Sequence, residues 1–494
     1  MKTETIYLAF DLGATSIRGI LARIGDQGIT LEEVLRYKHE AKIIDGLLCW
    51  DFAGLYREIH NCIDSIPHID AIGIDSWGVD YGLVSIDPSM ENKLPIDRLL
   101  DSPVCYREPS HERGLEELLQ KFSQETLFSR SGNQVLSINT LAQLASRKER
   151  TFNLCSDNNA RLLPMPDLMA FCLTGELGAE ESMLSTTMFY DQEKHELINE
   201  FLEAISFDPK WVARKRQAGT YLGRTHKSLF AGRAIPVITV LGHDTAGAFV
   251  LSEAFTDLEC AFLSCGTWSL LGAGLEAPIC SREAAGLNLS NELAAFGRAY
   301  AVKNLTGLYW IERLRHSLGD KASSFDELGK SLLGKNAPFL IDTEDSNLLS
   351  RTDLYEALCE RASEEGLSIS PDEAHLVLYD SLVARYVTEL AALTKLTGRN
   401  YKKIHVVGGG SKSALLMQKI ADATGVEVLA GPAETSSLGN LTLQMYAHEK
   451  YGEDFEKGIT CDLDGVEGDF DCLKKCRERF LALEDSVIYK AKTN

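Results

Sequence analysis

His243-Asp244-Thr245 stands where the apolar run IPVITVL ends, just before the small residues AGAF. A carboxylate at the end of a buried strand is costly without a partner or a task. One placed there can accept the proton of an attacking hydroxyl. Asp244 would serve equally as N-cap of a helix opening at Thr245, since Asp is a favoured cap, and the local sequence leaves both readings open. Asp11 ends another apolar strand, IYLAFDL, ahead of the turn GATS. Like charges keep it from binding phosphate directly, but it can hold Mg²⁺ or its waters against phosphates. The glycine of that turn lets the backbone approach a phosphate closely, with Thr15 and Ser16 as hydroxyl donors.

The opening turn is written twice. When FDLGATSIRG (residues 10–19) is shifted by 253 positions onto LSCGTWSLLG (263–272), Gly13 falls on Gly266, Ser16 on Ser269 and Gly19 on Gly272. Two such turns facing each other across a cleft would clamp a triphosphate; two tight β-hairpins are the alternative. The triple glycine Gly408-Gly409-Gly410 follows IHVV and precedes a helical pattern. It suits either a nucleotide-side turn or close strand–helix packing. IDSWGVDYGL (74–83) sets Asp75, Trp77 and Asp80 around Gly78. An indole can stack on the C–H face of a sugar while carboxylates take its hydroxyls, or the Trp can be structural.

The elements that carry these residues alternate between strand and helix. IYLAFDL, IRGILARI and ITLEEVLRYKHE read as strands, LYREIHNCIDSI as a helix and IDAIGIDS as a buried strand. Helical patterns cover 111–127, 139–150 and 373–397, and another starts near 438. The class is therefore α/β, and the repeated opening points to a duplicated lobe. The expected division is 1–243, with the sugar loop and first phosphate turn, and 244–494, with the second phosphate turn and adenine-side loops.

With 494 residues the chain is too long for one ordinary core. Its hydrophobic share of 45% and charged share of 25% read as soluble and globular. A net charge of −22 repels nucleic-acid backbones, and the short basic runs at 147–150 and 214–216 read as solvated surface. No signal peptide or spanning segment is expected. The twelve cysteines form no CxxC pair and read as reduced thiols of a cytoplasmic protein. The oligomeric state is not legible.

FDLGATSIRG, IGIDSWGVDYGL, CYRE, INTLAQL, LLPMPDLMAFCLTG, STT, GHDTAGAF, LSCGTWSLLG, VKNLTGLYWIER and HVVGGGSKSALL…GPAETSSLGN occur in this order over residues 5–450. In this the chain resembles the FGGY family of carbohydrate kinases. The resemblance implies two ribonuclease-H-like lobes of the actin/hexokinase type around a central cleft. It also implies transfer of the ATP γ-phosphoryl group, with Mg²⁺, to the 1-hydroxyl of a ketose, L-rhamnulose foremost. L-fuculose, L-xylulose or a related ketose is the rival acceptor, and a non-catalytic sugar or nucleotide sensor is the rival of another class. Carried over by the resemblance, Asp244 is the catalytic base. His243, Thr245, Gly78, Trp77, Asp80, Arg107 and Asn304 lie on the sugar side. Ala14, Thr15, Ser16, Arg18, Gly266, Thr267, Glu312, Gly408, Gly409 and Gly410 lie on the nucleotide side, and Asp11 holds Mg²⁺ through water. The chain departs from the family's pattern at Ser413 and Met417, where Asn is frequent, and at Glu108, where Asp is usual. NLSNELAAFGRAYAV reads as lacking an expected Glu-Gly-Gly.

Overall fold

The computed structural model describes residues 4–319, 322–457, 468–483 and 486–491. Two compact units emerge, and neither is one continuous segment. The first holds residues 1–251, 275–300 and 436–483, and the second 252–274, 301–435 and 484–494. A single cut at 243/244 does not describe them. Helix Asp244–Leu251, the hairpin region 275–300 and most of helix Thr435–Lys457 pack with the first unit.

In the first unit the sheet runs in the order Thr220–Arg224, Pro236–Thr239, Ala71–Ser76, Glu4–Leu12, Ser16–Gly25, Gly28–Lys38. The last three form an antiparallel meander, and the next two strands inward are parallel to the first. Ala71–Ser76 is buried at every residue, as an apolar strand with neighbours on both sides should be. The crossover into it carries helix Phe52–Ser65, capped by the Asp51 carboxylate on the Gly54 N–H. That helix buries Phe52, Leu55, Ile59, Cys62 and Ile63 as one stripe.

The second unit repeats this plan. From the strand Ala299–Thr306 its sheet continues through Trp268–Gly274, Cys260–Cys265, Lys403–Val407 and Glu427–Ala430 to Val487–Tyr489. Again the hairpin is antiparallel, the next two strands are parallel, and the last is antiparallel. The echo between residues 10–19 and 263–272 is thus the hairpin of a duplicated sheet. The 27-residue helix Pro371–Thr397 begins with a Ser370/Glu373 capping box and ends on Gly398 in the left-handed region, and it lines the core of this unit.

Two expected helices are each divided. The pattern over 111–127 becomes His111–Lys121 and Gln124–Ser131, because Ser123 caps a new helix through the Thr126 N–H. The pattern over 139–150 becomes Thr140–Ser146 and Lys148–Asn158, broken at Arg147. Among the described residues no helix is long and apolar enough to cross a membrane. Cys461, one of the twelve cysteines, lies outside the described residues.

Candidate active site

His243 and Asp244 sit where a strand becomes a helix in the first unit. The chain beyond Pro236–Thr239 stays parallel to Ala71–Ser76, with the Ser76 N–H donating to the Gly242 carbonyl at 2.8 Å. The Glu180 carboxylate fixes the bend. It accepts from the Gly242 N–H at 2.9 Å and the Ser182 N–H at 2.9 Å, and the Ser182 hydroxyl also donates to it. Ser182 Oγ in turn accepts the His243 N–H at 3.1 Å. Burial pushes the Glu180 carboxyl up to about 7, against these donors. The helix opens at Asp244 itself, and Thr245 Oγ donates to Asp244 Oδ1 at 3.2 Å.

The imidazole of His243 lies between two carboxylates. Its Nδ1 stands 3.0 Å from Glu292 Oε2 and its Nε2 3.5 Å from Asp244 Oδ1. Burial alone would lower the imidazole's pKa. Glu292, then Asp244 and Glu180, reverse this and push it up to about 9. Burial raises the Asp244 carboxyl, with the His243 charge opposing. Glu292 escaped the reading of the sequence. Its acidic residue is present, but Leu293 and Ala294 occupy the places where two glycines were sought.

Gly78 faces the same imidazole. A Cβ on it would meet Thr186 Cγ2 at 3.2 Å and His243 Nε2 at 3.3 Å. The next residue, Val79, has φ of 69°, a strained value for a β-branched side chain. The strain is held from three sides. Thr186 Oγ accepts the Val79 N–H, while Thr140 Oγ and Gln143 Nε2 donate to the Val79 carbonyl. Residues held in this way cluster at functional loops.

Asp80 is removed from the sugar contacts expected of it. It is 1% exposed. Its Oδ2 accepts from Trp50 Nε1 at 2.6 Å, Trp77 Nε1 at 2.9 Å and the Tyr106 N–H at 3.2 Å, and its Oδ1 accepts from Gln143 Nε2 at 2.8 Å. With both oxygens occupied, Asp80 organises the aromatic wall instead. Trp77 is likewise buried, its ring 4.4 Å from that of Trp50. Arg107 remains exposed, its guanidinium over the rings of Trp50 and Tyr106. Glu108 accepts the N–H groups of Leu48 and Ser110 and so belongs to the scaffold. Asp80→Ala would strand three donors, Trp50 Nε1, Trp77 Nε1 and the Tyr106 N–H, while Gln143 Nε2 keeps the Val79 carbonyl. It is expected to cost about 3–5 kcal/mol, read as a lowered urea midpoint. A raised KM for the sugar with an unchanged midpoint would restore Asp80 as a contact.

The first turn lies at the end of the strand holding Asp11. The Gly13 N–H donates to the Ser16 carbonyl at 3.0 Å, and His39 braces the loop through Gly13 and Thr15. Thr15 is exposed, while Ala14, Ser16 and Arg18 are half-buried. Asp11 and Asp75 are register neighbours on parallel strands and point to one face of the sheet. Helix Thr435–Lys457 supplies one donor to each: Ser436 Oγ to Asp11 Oδ2 at 2.9 Å and Asn440 Nδ2 to Asp75 Oδ2 at 2.6 Å. Asp75 Oδ1 is buried without a partner among the described residues. Burial, then the Asp11 charge, holds the Asp75 carboxyl well above the usual range.

The second turn differs from the first by one residue of register. Leu12 pairs with Ile17, whereas Cys265 pairs with Ser269, leaving 13–16 in one turn and 266–268 in the other. A one-residue slip reverses which face a side chain takes. Ser269 is therefore buried, its Oγ 2.7 Å from the Tyr386 hydroxyl, and is not equivalent to the half-buried Ser16. Thr267 is exposed, and beside it Trp268 is 59% exposed. The carbonyls of Gly266 and Thr267 accept N–H groups from Gly307, Leu308 and Tyr309, which hold the turn from behind.

The triple glycine divides its labour. A Cβ on Gly408 or Gly410 would press on Cys265, the nearest atoms 3.0 and 2.3 Å away, so these two serve close packing. Gly409 has open space and an exposed backbone. Ser413 caps helix Ala414–Thr424 and Met417 is fully buried, so structural roles account for both departures. Glu312 and Asn304 are exposed, on helix Tyr309–Leu318 and strand Ala299–Thr306. The residue expected as the base and most of those expected on the sugar side lie in the first unit. Asn304, Gly266, Thr267, Glu312 and the triple glycine lie in the second.

Residues 6–250 match the N-terminal domain of the FGGY family of carbohydrate kinases, and residues 261–448 its C-terminal domain. A rhamnulokinase of Bacteroides thetaiotaomicron is 33% identical over 450 residues, 89% of this chain and 90% of that protein. One from Klebsiella pneumoniae is 32% identical over 451 residues, 89% and 88% of the two chains. Among solved structures, a Plasmodium falciparum glycerol kinase with ADP has a TM-score of 0.74 at 14% identity, covering 99% of this chain and 95% of its own. A ligand-bound xylulose kinase of Lactobacillus acidophilus has a TM-score of 0.68 at 15% identity, covering 96% of each chain.

Proposed function

This chain belongs to the FGGY family of carbohydrate kinases and is a sugar kinase; from that premise we propose that it moves the γ-phosphoryl group of ATP to the 1-hydroxyl of L-rhamnulose, with Asp244 as general base. The observation that carries the reading is the half-buried Asp244 carboxylate at the head of its helix, ion-paired to His243. The rhamnulokinases at 32–33% identity support the choice of ketose.

In this mechanism Asp244 takes the proton of the 1-hydroxyl as its oxygen bonds to the γ-phosphorus and the bond to the β-phosphate oxygen breaks, releasing ADP. His243, charged, lies against the Asp244 carboxylate and limits the rise in its pKa. The open loop at Gly78 lets the sugar approach this pair, and the wall of Trp50, Trp77 and Arg107 bounds it. N–H groups and hydroxyls at 14–16, with Arg18, meet the transferring phosphate. Thr267 and the exposed backbone of Gly409 meet the nucleotide. Positioning and electrostatics supply most of the acceleration in phosphoryl transfer.

Mg²⁺ fits the residues present. Asp11 and the unpartnered Asp75 Oδ1 are two close carboxylate groups whose mutual repulsion a dication would relieve, and Mg²⁺ is usually held by one or two carboxylates plus phosphates. When bound, the ion would offset negative charge on the phosphates.

The test is ADP release across L-rhamnulose, L-fuculose, L-xylulose and D-xylulose. The highest kcat/KM is expected with L-rhamnulose, and a higher value with another ketose replaces it as substrate. A further expectation concerns Thr267, whose carbonyl is anchored independently of its hydroxyl. Thr267→Val should raise the KM for ATP about tenfold, the lower range for a hydrogen bond to a charged group, and leave the ketose KM unchanged. An unaltered ATP KM would remove Thr267 from the nucleotide site.

A further inference from the structure

Glu292 is a buried acid that the transfer reaction does not use directly. It lies on the short strand Ser290–Leu293, which is bolted to its surroundings. The Leu293 N–H donates to Ser185 Oγ at 3.0 Å, Asn133 and Gln192 both donate to the Asn291 carbonyl, and Asn291 Nδ2 donates to the Gly132 carbonyl at 2.9 Å. The Glu292 Oε2 that faces His243 also accepts from the Tyr300 hydroxyl. The Tyr300 ring stacks on Phe249, 4.5 Å between centroids, on the helix that Asp244 opens. Strand, carboxylate, tyrosine and catalytic helix form one closed set.

We propose that Glu292 is a positioning residue for the kinase reaction: it keeps His243 doubly protonated against Asp244, so that the base stays ionised. This rests on the reading of Asp244 as the base. The argument is geometric. One imidazole spans two carboxylates, Nδ1 toward Glu292 and Nε2 toward Asp244. A neutral imidazole has one N–H and one lone pair and carries no charge to offset either carboxylate. Only the cation is attracted to both: Nδ1 lies 3.0 Å from Glu292 Oε2 without an aligned hydrogen bond among the described residues, so the pairing is one of charge.

The other groups facing the ring do not replace Glu292. Glu180 is engaged with Gly242 and Ser182, and the Tyr300 phenol, raised by burial and then by Glu292, stays neutral and donates. Against burial, the carboxylates raise the imidazole to about 9, in keeping with the geometry. Without the Glu292 charge, burial is opposed chiefly by Asp244, and the ring loses its proton at lower pH. Asp244 then faces a neutral ring, so its own pKa rises. Activity needs Asp244 ionised and climbs as pH passes through that pKa. The acid limb of the kcat profile must therefore move to higher pH.

The experiment compares the full-length parent with Glu292→Gln and Glu292→Asp. It measures kcat and KM against pH and the charge state of His243 by NMR of histidine-labelled protein, with His243→Gln for assignment. In the parent, the His243 ring is expected to be cationic at pH 7. A neutral ring there overturns the proposal without any variant, so a misfolded Glu292→Gln does not shelter it. Glu292→Gln is expected to lower kcat roughly tenfold to a hundredfold at pH 7, displace the acid limb upward and let His243 titrate at lower pH than in the parent, with the KM for ATP unchanged. Glu292→Asp, which keeps the charge, is expected to recover most of kcat and the protonated ring. Parental kcat and a protonated ring in a folded Glu292→Gln overturn the proposal, as does a Glu292→Asp as slow as Glu292→Gln with His243 charged in both. Failure of the base reading is separate: it shows as normal turnover in Asp244→Asn, whatever the state of His243.

Discussion

Asp244→Asn is expected to slow turnover by roughly two to four orders of magnitude, the usual worth of a general base, in a protein that remains folded and binds ketose as the parent does. Asparagine has the same shape, so Thr245 Oγ keeps an acceptor where Asp244 Oδ1 stood. The helix start is kept too, because the bend before it is fixed by Glu180, Ser182 and Gly242 rather than by Asp244. What is lost is the ability to take a proton. The checks are steady-state ADP release, calorimetric ketose binding without nucleotide, and thermal unfolding. Near-parental kcat in the folded variant would take Asp244 out of the chemistry and leave it a helix-opening residue.

Asp11→Ala carries the second large effect. It is expected to lower kcat by about two to three orders, the range seen when one preorganised group that stabilises developing charge is removed. Added Mg²⁺ is expected to restore only part of it, because Asp75 alone remains to meet the ion. The reasoning starts from the ladder in which Asp11 and Asp75 are paired neighbours, with Ser436 and Asn440 supplying one donor to each. Ketose affinity measured without nucleotide should hardly change, because Asp11 lies beside the phosphate turn and the sugar loop is held by Thr186, Thr140 and Gln143. A large loss of ketose affinity with intact nucleotide affinity would place Asp11 on the sugar side.

Much of this protein is legible along the chain because it depends on local chemistry. Apolar strands ending in acids, small-residue turns and the 253-residue echo identify a duplicated α/β plan and single out Asp11, Asp244 and the triple glycine. These signals are sequence-adjacent, and hydrophobic periodicity reports them directly. The helix breaks at Ser123 and Arg147 escaped because a cap and one off-helix residue interrupt a pattern whose periodicity hardly changes. The unit boundary escaped because helix Thr435–Lys457 bonds to strands Glu4–Leu12 and Ala71–Ser76, more than 350 residues earlier, and composition carries no trace of that return.

The site divides along the same line. That Asp80 is an acid beside Trp77 is local. That its two oxygens are filled by Trp50, Trp77, Tyr106 and Gln143 follows from three distant segments converging on one carboxylate. Ser16 and Ser269 match letter for letter, yet the two hairpins differ by one residue in register, and Ser16 is half-buried where Ser269 is fully buried. Glu292 is the sharpest case. Its neighbours in sequence, Asn291 and Leu293, do not announce its role, which comes from His243, 49 residues away, and Tyr300 on the following strand. The sequence by itself determined the class, the duplicated plan and the acids that end the strands, because those follow from residue type and short-range spacing. The tertiary structure alone decided which acid is open, which is filled and which is paired. A carboxylate's state is set by the donors and charges within a few ångströms of it, and in a folded chain those come from anywhere along its length.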